Sequence, residues 1–158
     1  MCIRDRVRRI SASDRGDYFL GTDFTFEDVK LDGKLEPRDY TFSLLGEEIL
    51  EGRQSYMLEA VPINDDVATE LGYSRTRLWV DRDTWIVTRI EFWDTKGNPL
   101  KTLRVAKMGL VQGIWTRHEV TMQNHKTGHL TTFKFDEVDY LTEVDDELFT
   151  RQALSRGL

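Results

Sequence analysis

The chain has 158 residues, the length of one globular domain, and its 11% aromatic content supplies the large groups that a disordered chain lacks. With 22 basic against 28 acidic residues the net charge is −6, which speaks against a non-specific nucleic-acid binder and a polybasic membrane-surface anchor. No stretch approaches the ~18 apolar residues of a membrane-crossing helix, and the single cysteine, Cys2, excludes a disulfide framework or a thiolate zinc site within the chain.

Met1-Cys2-Ile3-Arg4-Asp5-Arg6 lacks the apolar run of a signal peptide and is a poor start to a strand. Residues 1–6 therefore read as a non-native head. Residues 7–158 read as one domain, without internal repeat, low-complexity tract or linker.

From Asp39 onward the chain is a series of β-hairpins. Asp39 to Leu45 alternates apolar and polar residues, the period of a half-buried strand. Glu51-Gly52-Arg53 turns it, and Gln54 to Val61 returns until Pro62. Asn64 to Gly72 breaks the pattern and reads as a loop with room for a short helical turn. Arg75 to Asp81 is the next strand, with Leu78 and Val80 on one face and Arg77 and Trp79 on the other. Trp85 to Trp93 follows the Arg82-Asp83-Thr84 turn. Asp94 to Pro99 is the clearest turn, with Gly97 for positive φ and Pro99 unable to continue a ladder. Leu100 to Val111, Ile114 to Gln123 and His129 to Tyr140 complete the set, joined through Gln112-Gly113 and Asn124 to Gly128. Helix is scarce: a turn or two over Asp23 to Leu31, and a short one over Asp145 to Phe149 with acids at its N-terminus. The prediction is a mainly β protein, an antiparallel meander of seven strands. No predicted helix is long enough to cover the apolar face that such a sheet must bury.

Catalytic motifs are absent from the pattern. His118, His125 and His129 lie on a strand and around a turn, so they read as surface residues rather than a metal cluster. Glu47-Glu48 point to opposite faces of a strand, while Asp65-Asp66 and Asp145-Asp146-Glu147 suit solvation and capping. No nucleophile elbow, zinc-protease helix or phosphate loop occurs, so no enzyme activity and no cofactor are indicated. The residual signal is aromatic: Tyr56, Trp79, Trp85, Trp93, Trp115, Phe92, Phe133 and Phe135 are many for one sheet. They suit either a packed core or a concave apolar surface that receives a lipid chain.

Taken in order, the motifs resemble the bacterial outer-membrane lipoprotein-sorting proteins, the LolA-like family. Arg8-Arg9-Ile10-Ser11 is similar to that family's VRRIS run, and Gly21-Thr22-Asp23-Phe24-Thr25-Phe26-Glu27-Asp28 to its GSDFTYEDL segment. Tyr40 to Glu48 is similar to its LLGEE strand, and Leu78-Trp79-Val80-Asp81 with Ile90 to Gly97 to its LWVDK hairpin. Gly113-Ile114-Trp115-Thr116, Thr127-Gly128-His129 and Asp145 to Thr150 are similar to its later elements; Arg117 stands where the family usually has Pro. The resemblance implies an open, incomplete β-barrel with helices over its mouth. It also implies that this chain is the C-terminal part of a longer one, with a signal peptide, a first helix and opening strands ahead of Val7. Low stability and aggregation would follow for such a part alone, through its exposed sheet edge.

The function implied is a periplasmic carrier that holds lipoprotein acyl chains, or other lipid, and moves them toward the outer membrane. A membrane-bound donor or acceptor protein would be its partner, and nucleic acid would not. The alternative is a lipid- or lipoprotein-sensing regulatory domain on the same scaffold. Period-2 alternation then selects the hollow's lining as Tyr56, Leu58, Leu78, Val80, Ile90, Phe92, Leu103, Val105, Val120, Met122, Phe133 and Phe135. Phe92→Asp or Phe133→Asp should abolish lipid binding, with Lys101→Asp as a surface control.

Overall fold

The computed structural model describes residues 2–3, 6–7, 11, 14–30 and 35–156. The Arg8-Arg9-Ile10 run and the Leu31 end of the first predicted helix lie outside the described residues. At the start of the chain, β1 (Cys2–Ile3) and β2 (Arg6–Val7) form a short antiparallel pair that the sequence did not suggest.

The body is one seven-stranded antiparallel sheet in strict chain order. Its strands are β3 (Tyr40–Leu50), β4 (Arg53–Pro62), β5 (Tyr73–Asp81), β6 (Val87–Asp94), β7 (Pro99–Val111), β8 (Ile114–Asn124) and β9 (Leu130–Lys134). β3 and β9 do not pair with each other, so the meander is an open half-barrel. Among the described residues three short helices stand around it, α1 (Phe26–Lys30), α2 (Asp65–Leu71) and α3 (Arg151–Arg156). Among the described residues no helix is long and apolar enough to cross a membrane.

Four sequence expectations change. Within Asn64 to Gly72, read as a loop with room for a short helical turn, Asp65–Leu71 forms the two-turn helix α2, because the Asn64 side chain caps Val67 N at 2.9 Å and Gly72 closes the C-terminus at φ 78°. Val67 and Leu71, four apart, then face the sheet. Trp85 and Ile86 belong to the β5–β6 turn, and β6 starts only at Val87. Pro99 opens β7 opposite Trp93, since the first residue of a strand needs no donor there. The predicted strand His129 to Tyr140 stops at Lys134. Beyond it the chain is taken up by the β7–β8 turn: Gln112 donates to Asp139 at 2.7 Å and accepts from Tyr140 N at 2.7 Å.

Register explains the two faces. One row of directly opposed residues runs Leu44, Leu58, Leu78, Ile90, Leu103, Met122 and Thr131 across all seven strands. Ala60, Thr76, Phe92, Lys101 and Asn124 form the row beside it on the same face. The opposite face is polar and carries charges of both signs. There Glu59, Arg77, Glu91 and Thr102 align, and Arg75 lies 4.3 Å over the Trp93 ring and Arg89 4.8 Å over Trp79.

Candidate functional site: the hollow face

The hollow face divides into a closed part and an open part. The closed part is covered by the segment 14–30, which runs across the sheet. Phe24 inserts its ring against Phe133, with centroids 4.3 Å apart and planes at 14°. Beneath α1, Asp28 caps Thr25 N at 2.7 Å, meets Lys101 Nζ at 2.5 Å and accepts from the Tyr73 hydroxyl at 3.2 Å. Lys101 Nζ also donates to the Asp23 carbonyl at 3.0 Å, and Thr131 Oγ1 donates to the Asp23 carboxylate at 2.7 Å. Further along, Arg15 bridges Glu27 at 2.8 Å and Asp39 at 2.5 Å, and these carboxylates raise its already high pKa. Burial, reinforced by the Asp28 charge, pushes the Tyr73 hydroxyl well above the usual phenol range.

Lys101 is thus the reverse of a surface residue. It is 1% exposed, opposite Phe92 on the hollow face, so Lys101→Asp is no control. Its charge is tolerable there because Asp28, distant in sequence, arrives with α1.

The open part lies where the β5–β6 and β7–β8 turns meet the segment that follows β9. Asp81, fully buried, shapes the first of them: its Oδ1 accepts from Asp83 N at 3.0 Å, Thr84 N at 2.8 Å and Thr84 Oγ1 at 2.9 Å, while Oδ2 pairs with Arg53. The Arg53 bond, with help from Thr84, holds the Asp81 carboxyl down at about 2. This turn delivers Trp85 in the left-handed region, at φ 59°, with 71% of its surface exposed. Its ring stacks on Tyr56 with centroids 5.9 Å apart. From the other side, Tyr140 reaches Thr116 Oγ1 at 3.0 Å. Asp139, accepting from the Thr142 hydroxyl and from Gln112, is held well below the usual carboxylate range.

These clips frame a cavity of about 760 Å³ walled by Trp85, Ile86, Val87, Ile114, Trp115, Thr116, Arg117, Phe135, Val138 and Tyr140. A second cavity, of about 460 Å³, lies against Phe24, Asp28, Val29, Leu103, Arg117, Val120, Thr132, Phe133, Lys134 and Phe135. Arg117 and Phe135 line both. Each volume is in the range of a small-molecule site, and the chemistry of the walls suits removal of hydrocarbon from water.

Of the residues picked by alternation, Leu103, Val120, Phe133 and Phe135 line a cavity. Leu58, Leu78, Ile90, Phe92, Val105 and Met122 pack into the core beneath the segment 14–30. Tyr56 stands under Trp85, and Val80 is half-buried opposite it. Ile114 and Trp115 open strand β8 and were left out of the selection. Alternation missed Trp85, Tyr140, Phe24 and Val29, because a turn, the segment after β9 and the crossing segment place them. The Asp-x-x-Thr of Asp81 to Thr84, just before a tryptophan, is the signal that marks the first of these. The histidines are separate: His118 bonds the Phe135 carbonyl at 3.1 Å and His125 the Thr102 hydroxyl at 2.8 Å.

A half-barrel with a partly covered, partly open apolar face is the architecture of carrier and binding domains, and the comparisons agree. A family model described only as that of an uncharacterized protein matches residues 3–156, and the chain belongs to that family. An outer membrane lipoprotein-sorting protein domain from Vibrio parahaemolyticus superposes with a TM-score of 0.85 at 30% identity, over 96% of this chain and 62% of that one. A DUF1329 family protein from Desulfovibrio piger gives 0.82 at 30% identity, over 93% and 59%. A LolA superfamily protein from Nitrosomonas europaea gives 0.68 at 21%, over 89% and 60%, a likeness of fold alone. The fold is therefore LolA-like, as the motifs implied. The chain spans about three fifths of the length of these solved structures. No curated protein matches it.

Proposed function

We propose that residues 7–158 are part of a single lipid-binding domain of a periplasmic carrier. It takes lipoprotein acyl chains, or other lipid tails, into the open part of the hollow and passes them toward the outer membrane. The observation that carries this reading is the cavity of about 760 Å³, apolar in its walls and framed by hydrogen-bonded turns. The likeness to a lipoprotein-sorting domain supports it. Hiding hydrocarbon is worth ~0.8 kcal/mol per CH₂, so a sixteen-carbon chain carries on the order of 12 kcal/mol. A chain crossing water therefore needs a cavity rather than a catalyst, and relative affinities for donor, carrier and acceptor set the direction of transfer.

The test is binding of a fluorescent fatty acid to the purified chain. Phe135→Asp and Trp115→Asp put a charge into the wall and should each weaken binding by about tenfold or more. Lys96→Asp, on the β6–β7 turn, should leave it unchanged. Wild-type protein that ignores the probe, or equal losses in all three variants, overturns the reading.

A further inference from the structure

We propose that Phe135 is the end stop for the lipid chain: its ring parts the hollow in two and sets the length of hydrocarbon that the protein accepts. The inference rests on the lipid-holding reading above and deepens it. What carries it is the place of Phe135 in the walls of both cavities. The larger cavity opens to solvent, since Trp85, Ile114, Trp115 and Tyr140 in its wall are all exposed. The smaller one lies under the segment 14–30, with the buried Phe24 in its wall beside Val29, Leu103, Val120 and Phe133. Its charged groups already have partners: Asp28 meets Lys101 at 2.5 Å, Lys134 meets Glu119 at 3.5 Å, and Arg117 has interactions of its own within the protein. The smaller cavity therefore suits the apolar end of a chain rather than a head, and Phe135 belongs to the wall that divides it from the open one.

The surroundings of Phe135 suit an end stop. It follows the last residue of β9, and both its backbone groups are tied to His118 on β8. Its N–H donates to the His118 carbonyl at 2.9 Å, and its own carbonyl is bonded by His118 Nδ1 at 3.1 Å. The backbone is thus fixed, while no other described ring stacks on the side chain. Phe133, two residues earlier and in the wall of the smaller cavity alone, is by contrast stacked by Phe24. Each methylene taken out of water is worth ~0.8 kcal/mol, or about fourfold in affinity. A chain gains that step for every carbon up to the Phe135 ring. A methylene beyond the ring stays in water and adds nothing.

The test is a chain-length series. Saturated fatty acids from octanoate to stearate, each below its micelle-forming concentration, displace a fluorescent fatty acid from the purified chain. Wild-type affinity should rise about fourfold per methylene and then level off at one chain length. Phe135→Ala should move that break to longer chains by about two carbons or more, because the smaller cavity then joins the larger. Phe135→Leu should move it the same way by less. Phe24→Ala enlarges the space behind the stop and should leave the break in place, as should Lys96→Gln on the β6–β7 turn. The readout is the position of the break, which a uniform loss of affinity does not move. A break that stays put in both Phe135 variants, or that Phe24→Ala moves as far as Phe135→Ala does, overturns the inference and leaves the lipid-holding reading standing. Wild-type affinity that climbs without a break as far as stearate does the same. Silence toward every fatty acid, the fluorescent one included, overturns both. Should Phe135→Ala fail to fold, Phe135→Leu against Phe24→Ala decides.

Discussion

The two parts of the hollow face are built from the same strands and the same alternation, yet they end in opposite states. Near Lys101 the apolar rows are sealed by the segment 14–30, whose Phe24 fills the space over Phe133 and whose Asp28 neutralises a buried cation. Near Trp85 the rows run out into turns, and the aromatic groups there stay exposed. Polar atoms appear in both parts with different roles. In the closed part they hold a cover down; in the open part Asp81, Gln112 and Tyr140 hold walls apart. Apolar patterning alone therefore does not distinguish core from cavity. The difference lies in what the polar groups at the boundary are bonded to.

The contrast predicts that substitutions in the closed part cost stability and those in the open part cost binding. The largest effect should come from Lys101→Ala, which strands the buried Asp28 carboxylate and should lose ~3–5 kcal/mol in urea unfolding. Replacing both partners, as in Lys101→Met with Asp28→Leu, should restore most of that. A Lys101→Ala loss below about 1 kcal/mol would show that the cover is not held by this pair.

Phe24→Ala should come next, at about 3 kcal/mol, with the smaller cavity enlarged and acyl-probe binding preserved or tightened. Weaker probe binding would mean that the cover itself is part of the ligand site.

Asp81→Asn should cost roughly 1–3 kcal/mol at neutral pH. The sign of its pH dependence follows from the depressed carboxyl. Its ordinary value is 3.8 and its folded value about 2, so its contribution is complete above the ordinary value and drains away as pH falls between them. Acid titration of wild-type stability should therefore show a limb from about pH 4 to pH 2 that Asp81→Asn flattens. An unchanged limb would place the acid sensitivity elsewhere.

The smallest effect on stability should belong to Trp85→Gly. Relief of the left-handed conformation and the greater freedom of the unfolded glycine nearly cancel, leaving the change within about 0.5 kcal/mol. Acyl-probe binding should fall all the same, since the cavity loses a wall. A large stability loss with binding intact would reverse the assignment of the two parts.

Much of the architecture was legible in the chain because the period of a strand is local. The alternation in Ile114 to Gln123 and the glycine turns at Gly52, Gly97 and Gly113 specify a meander without reference to anything distant. The same rule placed Leu58, Leu78, Ile90, Leu103 and Met122 on one face, in the row that the register confirms. What the chain could not disclose is which stretch of that face would be covered. Lys101 looks like a surface residue until Asp28, far away in sequence, is brought against it. Tyr140 looks like the end of a strand until Gln112 claims its backbone. Trp85 looks like the start of one until the buried Asp81 bends the turn beneath it. Period and turn chemistry are properties of neighbours in the chain and determined the sheet; closure, burial of charge and the opening of a cavity depend on groups that only meet in space, and the tertiary structure alone decided them.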